Sequence, residues 1–270
     1  MTKDKSSPQL RGKTVLLTGA SGGIGIALAE ALAAQGAELV LSGRREAELT
    51  SLAERVGGRV VVADLSQQDD VTRLLAEAGD VDVLVANAAL PATGTLASFN
   101  ADQVDRALDV NLRAPVALAH ALAPRLVAQG SGALVFIASL AGLAATPSMS
   151  LYNATKFGLR GFALALHDEL LGTGVGVSVV LPGFVRDAGM FAEAGVTAPT
   201  VFGTVTPQDV SRAVLRAIAR NKGEVLVAPA LDRLGARLGG LAPNLAGQLK
   251  ARGLLGSVGE DMAAAQQHKR

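Results

Sequence analysis

The 270-residue chain has no cysteine, no tryptophan, three histidines and a single tyrosine. The lack of cysteine excludes disulfide bonds and thiolate chemistry, and three histidines leave few ligands for a zinc site, so we expect no metal. The net charge of +1 gives no electrostatic reason to expect a nucleic-acid partner. No apolar run reaches the about 18 residues that span a membrane, and the polar start, MTKDKSSPQLRGK, does not resemble a secretory signal. We therefore expect a cytoplasmic globular protein.

Apolar runs and amphipathic stretches alternate along most of the chain, which is 49% hydrophobic and 18% charged. Seven short apolar runs are typical of buried strands, at 13–19, 37–43, 59–65, 81–89, 132–139, 175–183 and 224–229. Helical spacing predicts helices at 25–36, 46–58, 66–79, 102–129, 152–171 and 207–221. We expect Ser66 to cap the third of these, with Asp69 completing a capping-box-like start. The alternation predicts an α/β fold, a doubly wound seven-stranded parallel sheet covered on both faces, whose ligands bind beyond the carboxyl ends of the strands.

The predicted organisation has three parts: a mobile leader at 1–12, a single domain at 13–229 and a C-terminal extension at 230–270. The extension is rich in Leu, Gly, Ala, Lys and Arg and lies beyond the last predicted strand. Within it, the stretch 243–256 places Leu245, Leu249 and Leu254 near one helix face. That face could cover a ligand cleft, complete a subunit interface or make a weak peripheral contact with a membrane. Packing on the protein itself or on a partner subunit is the favoured alternative.

The first predicted strand runs into a glycine-rich stretch, TGASGGIG at 18–25, with Gly19, Gly23 and Gly25 in a G-x-x-x-G-x-G spacing. A strand that turns sharply into a helix beside a pyrophosphate must bring its backbone close to the ligand, which excludes Cβ atoms. The N–H groups and the positive dipole end of the following helix would then bind the phosphates. The position of the loop, after the first strand and before a helix, favours a dinucleotide site over a plain tight turn.

The same loop also fits G-x-S-x-G, the nucleophile elbow of α/β-hydrolases, in which Ser21 would attack an acyl carbon. A hydrolase needs an acid and then a histidine later in the chain. His120 and His167 lie within predicted helices and His268 lies in the polar tail, so none of them follows a predicted strand. A serine hydrolase is therefore a remote alternative.

Tyr152 and Lys156 are four residues apart, which places both side chains on one face of a predicted helix. A nearby ammonium favours the phenolate, so we expect Lys156 to lower the pKa of Tyr152 from its usual value of about 10. A phenol tuned in this way can exchange a proton with a substrate oxygen. Ser139, at the end of a predicted strand, can hydrogen-bond the same oxygen. Asn111 is a candidate for holding a water in a proton relay.

In this order and at these spacings the motifs resemble those of the short-chain dehydrogenase/reductase family. The resemblance covers roughly residues 11–229 and rests on TGASGGIG at 18–25, Asp64, NAA at 87–89, Asn111, Ser139, Tyr152 with Lys156, and Pro182-Gly183. It implies a single-domain, three-layer Rossmann fold, a homodimer or homotetramer, and hydride transfer between a nicotinamide cofactor and a carbonyl or secondary alcohol of a small molecule.

The resemblance also assigns roles to individual residues. Tyr152 is the acid–base, and Lys156 lowers its pKa and binds the nicotinamide ribose. Ser139 positions the carbonyl, and Asn111 holds the relay water. The predicted cofactor-binding residues are Gly19, Ser21, Gly23, Ile24, Gly25, Arg44, Arg45, Asp64, Leu65, Asn87, Ala88, Asn111, Tyr152, Lys156, Pro182, Gly183 and Val185. Among them Asp64 would meet the adenine edge, and Asn87 would steady the sheet near the cofactor.

The end of the second predicted strand, LVLSGRRE, indicates which cofactor is preferred. Gly43 stands where a carboxylate would bind the ribose 2′-hydroxyl of NAD. Arg44 and Arg45 follow at once, and a guanidinium can bind a 2′-phosphate through two hydrogen bonds and stack on adenine. The pattern favours NADP(H), with NAD(H) as the second choice. A basic residue in the glycine loop, another sign of NADP preference in the family, is missing, since Gly22 stands there.

One position departs from the family, and one segment carries the question of the substrate. Asp187 stands where the family usually has a threonine that contacts the nicotinamide amide. The stretch 184–205 would close over the substrate, and its apolar side chains suit an apolar carbonyl or alcohol compound. A second candidate function is a non-catalytic NADP(H)-sensing regulator, but an intact set of Ser139, Tyr152 and Lys156 argues against it.

Overall fold

The computed structural model of the protein describes residues 10–187 and 203–251. Its strands are β1 (Thr14–Thr18), β2 (Glu38–Gly43), β3 (Arg59–Val62), β4 (Val83–Ala86), β5 (Gly132–Ile137), β6 (Val175–Pro182), β7 (Phe184–Val185), β8 (Thr204–Val205) and β9 (Glu224–Val227). Its α-helices are α1 (Gly23–Ala34), α2 (Glu46–Val56), α3 (Gln68–Ala78), α4 (Ala101–Leu108), α5 (Ala114–Gln129), α6 (Ser150–Glu169), α7 (Pro207–Arg220), α8 (Ala230–Leu241) and α9 (Pro243–Ala251). All seven predicted strands are present.

Seven of the strands form one parallel sheet in the order β3-β2-β1-β4-β5-β6-β9. The chain builds outward from β1 to β3 and then crosses back to place β4 on the other side of β1. β1 and β4 pair from Val15 with Val83 to Thr18 with Ala86. The direction of winding reverses between these two strands, so their carboxyl ends open a crevice at the switch point, where doubly wound sheets bind ligands.

Helices cover both faces of the sheet and bury a separate apolar cluster on each. One face packs against α1, α2 and α7, with Leu28 and Val214 among the fully buried side chains. The other packs against α3, α5 and α6, with Leu118 and Leu159 among the buried side chains. These three layers confirm the predicted doubly wound α/β fold.

The start of α3 differs from the prediction that Ser66 caps it. Gln67 occupies the N-cap position, and its side chain makes no capping hydrogen bond. The hydroxyl of Ser66 instead donates to Oδ1 of Asp64 at 2.8 Å, and its N–H donates to the same oxygen at 3.0 Å. Ser66 is engaged with Asp64, two residues earlier, so it is not free to cap the helix.

The single helix predicted over 102–129 is two α-helices joined by a π-helical turn at Asp109–Arg113. The first helix, α4, begins at a capping box, in which Asn100 and Gln103 each accept the other's backbone N–H. The apolar spacing continues through the π-turn, which is why the sequence pattern predicts one uninterrupted helix. Such turns occur frequently at functional sites, and Asn111 lies in this one.

A short parallel ladder between β7 and β8 is absent from the sequence prediction. Phe184 pairs with Thr204 and Val185 with Val205. Strands of two residues are too short to show a periodicity, so the pattern cannot reveal them. The two strands lie at the two ends of the stretch 184–205, which the sequence predicts to close over the substrate. Residues 188–202 lie outside the described part of the chain.

Leu10 belongs to the folded body, although it lies within the leader predicted at 1–12. Its side chain is buried in the cluster that also contains Leu28. Its carbonyl accepts the N–H of Lys13 at 2.9 Å. Residues 1–9 lie outside the described part of the chain.

Helix α8, the first helix of the C-terminal extension, packs against the segment that follows β5. A Cβ added at Gly240 would lie 2.5 Å from the carbonyl oxygen of Leu143, so the two backbones are in close contact. The buried Asp232 accepts the N–H of Gly203 at 3.1 Å, which joins α8 to the start of β8. The opposite stripe of the helix exposes four leucines: Leu231, Leu234, Leu238 and Leu241.

The surface contact predicted for 243–256 depends on residues that are only partly described. The backbone of α9 is described to Ala251, whereas the side chains of Leu245 and Leu249 and all of Leu254 lie outside the described part. That contact stays a prediction. Among residues 10–187 and 203–251, no helix combines the length and the hydrophobicity needed to cross a membrane.

Candidate active site

The loop between β1 and α1 has no room for a side chain at two of its glycines. Gly19 has a φ of +65°, and a Cβ there would lie 2.7 Å from the Cα of Ala88. A Cβ at Gly25 would lie 2.2 Å from the carbonyl oxygen of Gly19. Both positions therefore require glycine, because a side chain at either one would clash with the backbone of the protein itself.

The N-terminus of α1 follows this loop without a side-chain cap. Gly22 is the N-cap residue, and the first turn contains no acidic residue. The first N–H groups of a helix have no partner within the helix, so those of Gly23 and Ile24 can bind an anion with the help of the helix dipole. The glycine loop and the uncapped helix start fit the pyrophosphate of a dinucleotide.

Asn87, directly after β4, joins the carboxyl ends of β1 and β4. Its Nδ2 donates to the carbonyl oxygens of Thr18 and Gly19 at 3.2 and 3.1 Å. Oγ1 of Thr18 in turn accepts the N–H groups of Asn87 and Ala88 at 3.1 and 3.2 Å. These four bonds hold Ala88 against Gly19 and so fix the shape of the glycine loop.

The two arginines after β2 have different partners. Nη2 of Arg45 donates to the carbonyl oxygen of Ser21 at 2.6 Å, which ties the start of α2 to the glycine loop. Nη1 of Arg44 lies 4.0 Å from Oδ2 of Asp64, and half of the Arg44 side chain stays exposed. Arg106 of α4 lies 3.5 Å from the same carboxylate oxygen. A basic cluster around one carboxylate therefore lies at the ends of β2 and β3.

Asp64 is the centre of this cluster. Partial burial opposes its charged form, but hydrogen bonds from Ser66 and the guanidinium groups of Arg44 and Arg106 outweigh it and hold the pKa of Asp64 below its ordinary value. The carboxylate is therefore charged at neutral pH. It lies where the sequence places the adenine contact, beside the buried Leu65, but its oxygens are already engaged by Ser66 and the two arginines.

Tyr152, the only tyrosine, is buried in the first turn of α6. Its N–H donates to the carbonyl oxygen of Ala92 at 3.2 Å, and its hydroxyl is hydrogen-bonded to Ser139. Ser139 follows β5, and its Oγ also accepts the N–H of Ala141 at 3.2 Å. The structure thus brings together the phenol and the hydroxyl that the sequence singles out, at the carboxyl edge of the sheet.

Lys156 lies one helical turn after Tyr152 and is 2% exposed. Its Nζ donates to the carbonyl oxygen of Ile137 at 3.1 Å and lies 5.7 Å from the centre of the Tyr152 ring. The ammonium is therefore next to the phenol, with its one described hydrogen bond directed to the end of β5.

The pKa values of this pair differ from the prediction. Burial raises the pKa of Tyr152 to about 12, and the hydrogen bond from Ser139 offsets only part of that rise. Burial lowers the pKa of Lys156 to about 8. In the protein alone the pKa of Tyr152 is thus raised, not lowered as predicted, because desolvation of the buried phenol outweighs the hydrogen bond from Ser139.

Asn111 is buried in the π-turn, and its side chain serves the fold. Oδ1 accepts the N–H of Leu90 at 2.7 Å, and Nδ2 donates to the carbonyl oxygen of Leu90 at 3.0 Å. A longer contact of 3.5 Å joins Nδ2 to the hydroxyl of Thr155 on α6. The amide is engaged by these partners, and the relay role of Asn111 stays a prediction.

The segment after β6 completes the edge of the sheet. The N–H of Gly183 donates to the carbonyl oxygen of Val227 at 2.9 Å, and a Cβ at Gly183 would lie 3.1 Å from the Cβ of Ala228. Val185 is buried in β7, so its side chain belongs to the core. Asp187 has a φ of +66° and pairs with the neighbouring Arg186 at 3.3 Å, with most of its side chain exposed.

Two residues near the site were not singled out by sequence reasoning. Arg106 reaches Asp64 from α4, and Asn153 bonds the segment after β5 from α6. A charged or amide side chain within a helix pattern gives no signal of such distant partners. The hydrolase alternative gains no partner for Ser21: in the described part of the chain, His120 is exposed on α5 and His167 bonds the carbonyl oxygen of Val177, in the first half of β6.

Comparison with known proteins agrees with this geometry. The family model described as short chain dehydrogenase matches residues 13–198. The Ketoacyl reductase HetN of Nostoc sp. (strain PCC 7120) is 38% identical over 227 residues, which cover 81% of this chain and 79% of that protein.

Two solved structures have similar folds. The short-chain dehydrogenase from Sphingobium yanoikuyae in complex with NADPH is 31% identical, with a TM-score of 0.75 over 88% of this chain and 95% of that one. The bulky-bulky ketone specific alcohol dehydrogenase from Comamonas testosteroni is 30% identical, with a TM-score of 0.73 over 87% of this chain and 94% of that one. The chain belongs to the short-chain dehydrogenase/reductase family and is a nicotinamide-dependent oxidoreductase.

Proposed function

We propose that the protein transfers hydride between NADP(H) and the carbonyl or secondary alcohol group of an apolar small molecule. The observation that carries this proposal is the hydrogen bond between the buried Tyr152 and the partly buried Ser139, with Lys156 on the next helical turn. This group lies at the carboxyl edge of a sheet whose glycine loop and uncapped helix start fit a dinucleotide.

The nicotinamide cofactor, when bound, supplies or accepts the hydride. Tyr152 and Ser139 hydrogen-bond the substrate oxygen, and in the reductive direction Tyr152 gives it a proton. Burial, which raises the pKa of Tyr152 to about 12, keeps the phenol protonated at neutral pH and ready to act as that acid. Lys156 places a cation beside the phenol, where it would stabilise the phenolate that the reaction leaves and would bind the nicotinamide ribose.

Preference for NADP(H) over NAD(H) follows from the end of β2. No carboxylate stands there, since Gly43 is the last residue of the strand. Arg44 follows directly, and its half-exposed guanidinium can turn to a 2′-phosphate. The complex of the Sphingobium yanoikuyae enzyme with NADPH supports the same choice.

An apolar substrate is supported by the surroundings of Tyr152. The ring packs in a small apolar cluster with Ala92, Met149 and Leu151, and Phe99 and Leu108 lie at its margin. Phe99 and Leu108 are only partly buried, so they are the members of this cluster that a carbonyl compound at the hydroxyl can contact. The names of two relatives, a ketoacyl reductase and an alcohol dehydrogenase specific for bulky-bulky ketones, point to the same class of compound.

A titration followed by a substrate screen tests this function. NADPH binding is measured by fluorescence, and a panel of acyclic, aryl and polycyclic ketones is then screened by loss of NADPH absorbance. Binding with turnover of at least one apolar ketone is the expected result. Binding without turnover across the panel, and without oxidation of the matching alcohols, would instead favour the NADP(H)-sensing regulator.

The family resemblance also implies a homodimer or homotetramer, and the polar start and the lack of a membrane-length apolar run favour a cytoplasmic location. Both stay predictions for this chain, and size-exclusion chromatography with light scattering measures the first. The weak peripheral membrane contact through 243–256 is tested by co-sedimentation with liposomes before and after deletion of that stretch.

A further inference from the structure

Asn153 directly follows Tyr152 on α6. Each polar atom of its side chain has a backbone partner in the segment that follows β5. Oδ1 accepts the N–H of Thr146 at 3.1 Å. Nδ2 donates to the carbonyl oxygens of Ala141 and Ala144 at 2.6 and 3.1 Å. The three partners leave the amide one orientation, because a reversed side chain would place its oxygen against two carbonyl oxygens. The side chain is 6% exposed, so these bonds replace water that the backbone groups cannot reach.

Ser139 and Asn153 both hydrogen-bond the backbone of Ala141, one at its N–H and the other at its carbonyl oxygen. Oγ of Ser139 accepts the N–H of Ala141, and Nδ2 of Asn153 binds its carbonyl. Ser139 is in turn hydrogen-bonded to the hydroxyl of Tyr152. A chain of hydrogen bonds therefore runs from Asn153 through Ala141 and Ser139 to Tyr152.

The segment from Ser139 to Thr146 has little regular structure to hold it in place. Its only helical turn in the described structure is a 3₁₀ turn at Leu140–Gly142. That turn lies close to α6, since a Cβ at Gly142 would lie 2.7 Å from the carbonyl oxygen of Lys156. Hydrogen bonds from Asn153 at Ala141, Ala144 and Thr146 fix the rest of the segment on the same helix.

We propose that Asn153 is a positioning residue for catalysis: it locks the segment 139–146 onto α6 so that the hydroxyl of Ser139 meets the hydroxyl of Tyr152 and the substrate oxygen. The proposal rests on the function proposed above. Asn153 touches neither reacting atom, and its effect passes through Ser139. A displacement of about 1 Å in such a group can cost about 100-fold in rate.

A double-mutant cycle tests the proposal. In the wild-type background Asn153→Ala is expected to lower kcat by about 10- to 100-fold, with the KM for NADPH nearly unchanged. In a Ser139→Ala background, where the positioned hydroxyl is gone, the same change is expected to cost less than about threefold. A merely structural role would lower kcat by the same factor in both backgrounds, and that result would overturn the proposal.

Two further variants keep the test decisive. Thr173→Ala removes two comparable bonds, to Leu170 and Val175, in the connection after α6, and is expected to lower the melting temperature without changing kcat. If Asn153→Ala does not fold, the cycle is run with Asn153→Ser, whose single hydroxyl proton can replace at most one of the two donated bonds. For either replacement of Asn153, an equal loss of kcat in the wild-type and Ser139→Ala backgrounds contradicts the proposal.

Failure of this inference can be told apart from failure of the proposed function. If Ser139→Ala and Tyr152→Phe both leave turnover unchanged, the assigned chemistry is wrong and Asn153 has nothing to position. If these two variants lose turnover while Asn153→Ala retains wild-type kcat, the chemistry stands and the role of Asn153 is wrong.

Discussion

Arg44 and Asp64 face each other across the ends of β2 and β3, with Nη1 of the guanidinium 4.0 Å from Oδ2 of the carboxylate. The separation is long for an ion pair and half of the arginine is exposed, so the contact restrains the guanidinium only weakly. Asp64 is held more firmly by Ser66 and also faces Arg106. Arg44 is therefore the member of this cluster that can leave its partner for a ligand phosphate.

Arg44→Ala should weaken NADPH binding by roughly 10- to 100-fold, because a charge-assisted hydrogen bond contributes about 1.5–3 kcal/mol. NADH binding should change little, since NADH lacks the 2′-phosphate. Titration of both cofactors measures the two dissociation constants. Arg55→Ala is a matched control, because Arg55 is an exposed arginine at the other end of α2 that pairs with Glu30. Equal loss of NADH and NADPH affinity would contradict this role of Arg44.

Gly43→Asp combined with Arg44→Ala should move the preference toward NADH. A Cβ at Gly43 would lie 3.4 Å from Oγ of Ser21 and 3.7 Å from a methyl of Leu49, which are ordinary contact distances, so the position accepts a Cβ. The carboxylate would accept from a ribose 2′-hydroxyl and repel a 2′-phosphate. The ratio of kcat/KM for NADH and NADPH on one ketone checks this, and a wild-type enzyme that already prefers NADH would refute the assignment.

Tyr152→Phe removes the proton donor and keeps the ring in its apolar cluster. We expect kcat to fall by at least about 100-fold, the low end for general acid catalysis. NADPH affinity and the melting temperature should stay close to those of the wild type, since only the hydroxyl and its bond to Ser139 are lost. Single-turnover absorbance measurements check the rate, and turnover retained by the Phe variant would remove Tyr152 from the mechanism.

The sequence predicts those parts of the site that depend on local constraints. Gly19 and Gly25 are recognisable because no other residue fits, and the spacing of Tyr152 and Lys156 is set by one helical turn. Alternation of apolar runs with helical patterns likewise predicts the sheet and its switch point. These features leave a pattern within a short window of sequence.

The parts that the sequence does not predict depend on distant partners or on competition between neighbours. In the sequence Asn153 is an ordinary helix residue, and only the structure shows its hydrogen bonds to the segment after β5. The position of Ser66 is typical of a helix cap, but its hydroxyl donates a hydrogen bond to Asp64 instead. The pKa of Tyr152 follows the depth of burial, which the spacing to Lys156 does not reveal.

Lys156 makes the stability of the protein depend on pH in the alkaline range. Burial lowers its pKa from an ordinary 10.5 to about 8. Between these values the unfolded chain holds a proton that the folded protein has released, so the free energy of unfolding rises with pH, by up to about 3 kcal/mol. The gain is present above pH 10.5 and is lost as pH falls through about 8.

Lys156→Met should abolish this rise. Urea denaturation at pH 8, 9 and 10 measures the free energy of unfolding of both proteins, and the difference between wild type and variant should shift in favour of the wild type as pH increases. Tyr152 has the opposite trend above pH 10, because its pKa is raised to about 12, but it is common to both proteins. A difference that stays constant from pH 8 to pH 10 would show that Lys156 is not desolvated as the structure has it.

Two glycines of α8 give a matched pair of variants that tests how this helix supports the site. A Cβ at Gly235 meets nothing within 4 Å, whereas one at Gly240 would lie 2.5 Å from the carbonyl oxygen of Leu143. Gly235→Ala should therefore raise the free energy of unfolding by up to about 1 kcal/mol through helix propensity, and Gly240→Ala should lower it by about 1–3 kcal/mol through overpacking. Leu143 lies in the segment between Ser139 and Thr146, so pushing it away from α8 should also disturb Ser139 and reduce kcat. Thermal unfolding and kcat are measured for both variants, and a Gly240→Ala protein as stable and as active as Gly235→Ala would show that α8 does not support this segment.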